Sequence, residues 1–218
     1  MYVTGLERQT PSRLRCSFQL PGVHVNKILC FVLGAFVAVP VAAIAQQTAT
    51  APAAAPANPI SASEAGIYRL IIGNVVAAAE QMPEENYSFK PTPDVRSFGQ
   101  LVGHLADANT MFCSMASGAT PPSSSVEKTK TSKADLVAAL KDSVASCTKT
   151  YGAMTDAQGA TMTKFRNFDV AKLSLLSINT AHTDEHYGNM VTYMRLKGLV
   201  PPSSQPQGQR PQSAPARD

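Results

Sequence analysis

Apolar residues return at intervals of three and four through four stretches of the chain, the spacing that lines one side of an α-helix. In the first stretch, residues 62–81, Ile67, Leu70, Ile71, Val75 and Ala78 form the stripe. Ser61 and Glu64 read as a capping box at its start, and Pro83 as its stop. The second opens at Ser97 with Gln100 as capping partner, runs through Phe98, Leu101, Leu105, Ala108 and Phe112, and ends at Gly118. The third follows Ser132, with Asp135 in its first turn, and is striped by Leu136, Leu140, Val144, Cys147, Tyr151 and Met154. The fourth, residues 170–197, is the longest; Gly198 closes it and Pro201-Pro202 prevents its resumption. No stretch alternates as the strands of a hairpin do. Four amphipathic helices with polar connections predict an all-α fold, a four-helix bundle. The connections PEENYSFKPTPDVR and ATPPSSSVEKTKT are too long for tight turns and are expected to be crossovers or to cover a site. Residues 155–169 form a third long connection, with room for another short helix.

The ends of the chain differ in character. Residues 1–45 read as a signal peptide: Lys27 precedes an apolar run, and Ala43 and Ala45 make an A-x-A site before Gln46. The polar stretch before Lys27 is long for such a leader, which an initiation near Val25 would explain. The competing reading is a retained membrane anchor, against which Pro40 and the cleavage-like end argue. Residues 46–60 are an Ala/Pro/Thr-rich linker, 61–200 the bundle, and 201–218 a Pro/Gln/Ser-rich tail expected to be disordered. The expectation is an exported protein, periplasmic or secreted, with no membrane attachment once the leader is removed.

Composition sharpens this picture in three places. Aromatics are only 6 % and Trp is absent, so Leu, Val, Met and Ala must carry the packing. The net charge of +4 is concentrated early: Arg8, Arg13, Arg15 and Lys27 against Glu7 supply most of it before residue 46. What remains is near neutral and lacks a basic patch interleaved with aromatics, so nucleic acid is not an expected partner. Of the four cysteines, cleavage removes Cys16 and Cys30. Cys113 and Cys147 remain, either paired in an oxidising compartment or buried as free thiols.

Three histidines lie in the mature chain. His182 and His186, within HTDEH, are four apart on the fourth helix and leave the same face. His104 sits in the second helix among Leu101, Leu105 and Ala108, on the side expected to look inward. A lone inward histidine is ordinarily a hydrogen-bonded core residue, and spaced pairs also occur on exposed faces. Together in one small bundle, the three point to a shared divalent cation.

The segments RSFGQLVGHLADANTMFCSMASG (96–118) and HTDEHYGNMVTYMRLKGLVPPSS (182–204) resemble the DinB-like superfamily (DinB/YfiT type). The likeness spans residues 61–204, and its most specific element is a helix-two histidine with H-x-x-x-H-x-G in the fourth helix, here His104, His182, His186 and Gly188. The resemblance implies a four-helix bundle whose three histidines bind a divalent metal ion, zinc or nickel, and an activity among metal-dependent hydrolases and thiol transferases. An export signal separates this chain from members that use cytoplasmic thiols.

Three neutral imidazoles leave positions on an ion open to water or substrate, as in catalytic sites. Imidazole alone does not choose among zinc, nickel, iron and copper. Asp107, one turn from His104, is a candidate orienting acceptor or general base, and Glu185 a second catalytic candidate. Each has the plainer alternative of a solvated acid. Tyr187, Tyr193 and Arg195 are candidate substrate contacts, with Tyr193 better explained as core and Arg195 as a helix-end cation. Asn109 and Asn179 are candidates to line a pocket. No G-x-S-x-G, phosphate loop, dinucleotide fingerprint or C-x-x-C-H is present, so Ser/His hydrolase and nucleotide readings lack their signatures and a covalent c-type haem bundle is disfavoured. The expected function is metal-dependent hydrolysis or thiol or other group transfer on a small-molecule substrate. The alternative is a non-catalytic metal- or ligand-binding bundle, stress-related or acting as a homodimer.

Overall fold

The structure, a computed structural model, describes residues 57–123, 125–206 and 208. The segment read as a signal peptide, most of the linker and the last ten residues lie outside the described residues. Four long helices carry the fold: α1 (Pro59–Gln81), α2 (Phe98–Ser117), α4 (Lys133–Ala153) and α6 (Lys172–Leu196). Two single-turn helices, α3 (Val126–Thr129) and α5 (Asp156–Gly159), and a hairpin of β1 (Met162–Phe165) with β2 (Phe168–Ala171) occupy the connections.

α2 packs against α4 and α6, and α1 packs against the same two helices. α1 therefore lies diagonally across from α2, and α4 across from α6. This arrangement explains the long connections, because the chain must cross the end of the bundle both from α1 to α2 and from α4 to α6. The second crossing is where α5 and the hairpin sit. The hairpin was not legible as alternation because its strands are four residues each and none of their residues is fully buried. Its antiparallel register pairs Met162 with Ala171 and Phe165 with Phe168.

Local signals behaved differently at different helix starts. At α2 the capping box forms: the Gln100 amide donates to Ser97 Oγ (3.2 Å) and the Ser97 amide to Gln100 Oε1 (2.8 Å). Gly118 then ends the helix at φ 83°, a left-handed conformation that suits glycine. At α1 the Ser61–Glu64 box does not form. The helix starts earlier, at Pro59, and the Asp156 carboxylate of α5 takes its free amides, accepting from Ser61 N at 2.8 Å and Ile60 N at 3.3 Å. Those hydrogen bonds, Ser61's first, hold the Asp156 carboxyl below its ordinary range. Glu64 instead accepts from Thr180 Oγ1 (2.6 Å) and Ser177 Oγ (3.1 Å) on α6.

The inward face of α1 is also rotated from the expected stripe. In its first half Ile67 and Leu70 are exposed while Ala65, Tyr68 and Ile72 face the core; Val75 and Ala78 are buried as expected, with Ala79 beside them. Tyr68 sets this phase. Its ring stacks on Tyr151 of α4 at 4.1 Å, and its hydroxyl reaches Asn109 of α2 at 3.1 Å. At the other end, residues 201–206 pack against the bundle, although composition assigned them to the tail. Pro201 and Pro202 are buried, and Tyr187 donates to Ser203 Oγ at 2.9 Å. Among the described residues no helix is long and apolar enough to cross a membrane.

Cys113 and Cys147, buried where α2 meets α4, are joined by a disulfide across Cα atoms 5.3 Å apart. The bond closes a loop of 34 residues, so it restricts the unfolded chain more than the folded one. Urea unfolding with and without a reductant should show a loss of about 2–4 kcal/mol on reduction.

Candidate metal centre

The apolar face of α6 breaks in its middle. Leu175 and Leu176 anchor one end and Met190 and Met194 the other, while Asn179, Thr180, Thr183 and His186 are buried between them. Burying such a run costs free energy unless each group finds a partner. Part of the answer is a polar layer deeper in the bundle. Asn179 Nδ2 donates to Asn109 Oδ1 at 2.9 Å and to Tyr151 Oη at 3.3 Å. Asn109 and Asn179 thus tie the helices together inside the core and do not line the cleft.

His186 joins a histidine cluster, while Thr183 Oγ1 and Asn179 Oδ1 have no hydrogen-bond partner among the described residues. His104 of α2 meets His182 and His186 of α6 because those two helices pack directly on each other. His104 Nε2 is 3.2 Å from His182 Nε2, and His186 Nε2 is 3.1 Å from the same atom. One nitrogen from each ring can be chosen so that all three lie within 4.8 Å of one another. Nitrogens bound to a single tetrahedral ion at its usual bond length stand about 3.4 Å apart. Donor type and spacing both fit a shared divalent cation.

The outward nitrogens are held separately. His104 Nδ1 lies 3.1 Å from Glu127 Oε2, and the other oxygen of that carboxylate accepts from Arg96 Nε at 2.8 Å. His186 Nδ1 lies 3.3 Å from the side-chain amide of Asn189. His182 Nδ1 is buried with no hydrogen-bond partner among the described residues. Phe112 packs beside the His182 ring, and Phe165 from β1 covers Phe112, so the hairpin shields this side of the cluster.

Glu127 reaches His104 through a dedicated piece of structure. α3 is only one turn long, and Asp107 holds it by accepting from Val126 N (2.7 Å), Glu127 N (3.0 Å) and Ser125 Oγ (3.0 Å). Gly103 makes the approach possible, since a Cβ there would stand 2.7 Å from Glu127 Cα. Three neighbouring positions of α2 therefore serve one purpose: Gly103 admits α3, Asp107 caps it, and His104 receives its carboxylate. Asp107 has both oxygens engaged in that capping and presents no free oxygen to the imidazoles. Glu185 is exposed and makes no hydrogen bond to the cluster, although its charge is felt at His186.

Burial lowers the His182 pKa to about 4, reinforced by the neighbouring His186 and His104 and by Arg96. His186 is lowered by burial first, then by His104 and Arg96, with Glu185 opposing. The rings therefore favour the neutral form, the one that donates a lone pair. A cleft of about 570 Å³ opens beside His186, lined also by Arg96, Gln100, Asn189 and Tyr193 and by the α1–α2 connection around Lys90 and Asp94. That connection does cover the site, as its length suggested. Tyr193 is both core and cleft wall, and its hydroxyl donates to Arg96 O at 2.8 Å. Tyr187 and Arg195 instead bond Ser203 and Ser204 at the helix end.

Residues 68–190 match the family model of the DinB superfamily. The chain belongs to the DinB superfamily. Two solved DinB-like proteins share its fold. One, from Bacillus subtilis, is 21 % identical with a TM-score of 0.56, over 69 % of this chain and 99 % of that one. The other, from Bacillus cereus, is 16 % identical with a TM-score of 0.54, over 61 % and 89 %. Among curated proteins none matches the chain. In this DinB-superfamily protein the glycine of H-x-x-x-H-x-G, Gly188, has open space where a Cβ would stand, so packing does not require it.

Sequence reasoning missed Glu127, Arg96 and Asn189. Asn189 was accessible, being three residues beyond His186 on the same helix face. Glu127 was not, because nothing in a polar connection marks which acid will meet a ring on another helix.

With its pKa lowered, His182 takes up a proton more readily in the unfolded chain than in the folded one between pH 6.5 and 4. Stability of the metal-free protein should therefore fall as pH drops through that window and level off below it, at up to about 1.4 kcal/mol per pH unit for this group. Chemical denaturation of chelator-treated protein across the range checks the slope.

Proposed function

We propose that this DinB-superfamily protein is an exported metal-dependent enzyme, a hydrolase or group transferase, that holds one divalent ion, zinc or nickel, on His104, His182 and His186. The observation that carries the reading is the convergence of three imidazole nitrogens from two helices beside an open cleft. Export is supported by the A-x-A site after an apolar run and by the Cys113–Cys147 disulfide, a bond that persists in oxidising compartments.

When bound, the ion supplies Lewis acidity toward a carbonyl, a water or a thiol at its open positions. The residues do the rest. With its proton on Nδ1, His104 donates to Glu127 and turns the Nε2 lone pair inward, the arrangement that fixes a metal-ligating imidazole. His186 takes the same tautomer when Asn189 meets Nδ1 with its carbonyl oxygen, an orientation of the amide that the 3.3 Å contact permits. Phe112 and Phe165 keep water from one side of the rings, so a small-molecule substrate enters from the cleft side past Asn189 and Tyr193.

One observation favours the second reading, a metal-binding bundle without turnover: Asp107 is committed to α3, so among the described residues Glu127 is the acid that contacts the cluster. Exchange of solvent at the bound ion, read by water-proton relaxation of a paramagnetic substitute, separates the two; a filled coordination sphere would leave only the binder.

Protein purified without a histidine tag should contain one equivalent of divalent metal by elemental analysis, and His186→Ala should lose it. Absence of metal from both, together with failure to reload the chelated protein, would overturn the reading. Glu127→Gln should retain the fold and weaken metal affinity about 10- to 100-fold, as removal of an orienting acceptor does. Competition with a chromophoric chelator measures the change.

A further inference from the structure

Arg96 is held in place at both ends yet its recognition surface is unused. The Tyr193 hydroxyl donates to its backbone carbonyl at 2.8 Å, and its Nε is fixed on Glu127 Oε1 at 2.8 Å. The same carboxylate contacts His104 with its other oxygen, so a single side chain sets the distance between the guanidinium and the cluster. The two terminal nitrogens of Arg96 have no partner among the described residues, the side chain is 41 % exposed, and the residue lines the cleft that reaches His186.

The local charge balance points the same way. In the cleft wall, the cations Lys90 and Arg96 face the anions Asp94 and Glu127. A divalent ion on three neutral imidazoles therefore leaves two positive charges uncompensated. Lys90 Nζ is turned onto Pro93 O at 2.8 Å, which leaves Arg96 as the cation presented to an occupant. A pinned guanidinium with a free edge matches a carboxylate through two parallel hydrogen bonds.

Resting on the three-histidine reading, we propose that the substrate is a small carboxylate, bound with its anionic group on the terminal nitrogens of Arg96 and its reacting group at the histidine cluster. The Arg96–Glu127–His104 chain then acts as a ruler: it aligns the carboxylate end of the substrate with the reactive end by using one carboxylate to position both a ligand and an anion receptor.

The test uses the full mature chain loaded with nickel and two hydroxamates of equal length as probes, succinic monohydroxamate and its neutral carboxamide analogue, titrated calorimetrically. The charged probe should bind about tenfold more tightly, the effect of one charge-assisted contact. Arg96→Gln should bring the two probes to equal affinity, whatever the affinity of each, and Arg96→Lys should retain part of the preference. Equal affinities for the two probes in wild type, or a preference that survives in Arg96→Gln, would overturn the inference alone. Failure of the wild-type protein to take up either nickel or zinc would overturn the three-histidine reading and this inference with it.

Discussion

Neutral imidazoles that aim ring nitrogens at one another inside a protein need a proton or a cation between them, because facing lone pairs repel. The packing of α2 on α6 brings three such nitrogens to one point, with His186 buried and His104 and His182 half-buried. Much else in the molecule follows from accommodating that point. The middle of α6 gives up apolar residues there, and its two ends compensate with Leu175, Leu176, Met190 and Met194. Burial that disfavours protonation also keeps lone pairs available, so desolvation prepares the rings for a metal.

Support around the rings is graded. His104 has a carboxylate, His186 an amide, and the buried Nδ1 of His182 has no protein partner among the described residues. The strongest acceptor therefore lies behind the ring on α2, the helix that the disulfide also ties to α4. α6 is free of that covalent tie. Its two histidines depend on packing and on the Asn109–Asn179 layer for their position.

The bundle was legible in the sequence because its signals are local. Ser97 with Gln100, Gly118 and the periodic stripes of α2 and α4 each report on a few adjacent residues. Export and substrate stand as expectations from the sequence, and the histidine cluster was legible only as spacing. Where the sequence misled, the deciding contact was distant. Asp156 replaced the expected cap of α1, and Tyr68 shifted its inward face by pairing with Tyr151 and Asn109. Asp107 was correctly placed near His104 in the chain, yet its carboxylate serves α3. Glu127 could not be singled out at all, since its role comes from the close approach that Gly103 allows.

The walls of the cleft have two different origins. His186, Asn189 and Tyr193 project from the long helix α6, whereas Lys90, Asp94 and Glu127 come from connections. Helices are constrained by the core they share, and connections tolerate replacement and changes of length. Mutation can therefore reshape what the cleft recognises while the imidazoles stay put. A lineage built on this scaffold is free to diversify its chemistry by rewriting loops, and wide variation in activity among proteins of one shape is the outcome such a division of labour favours.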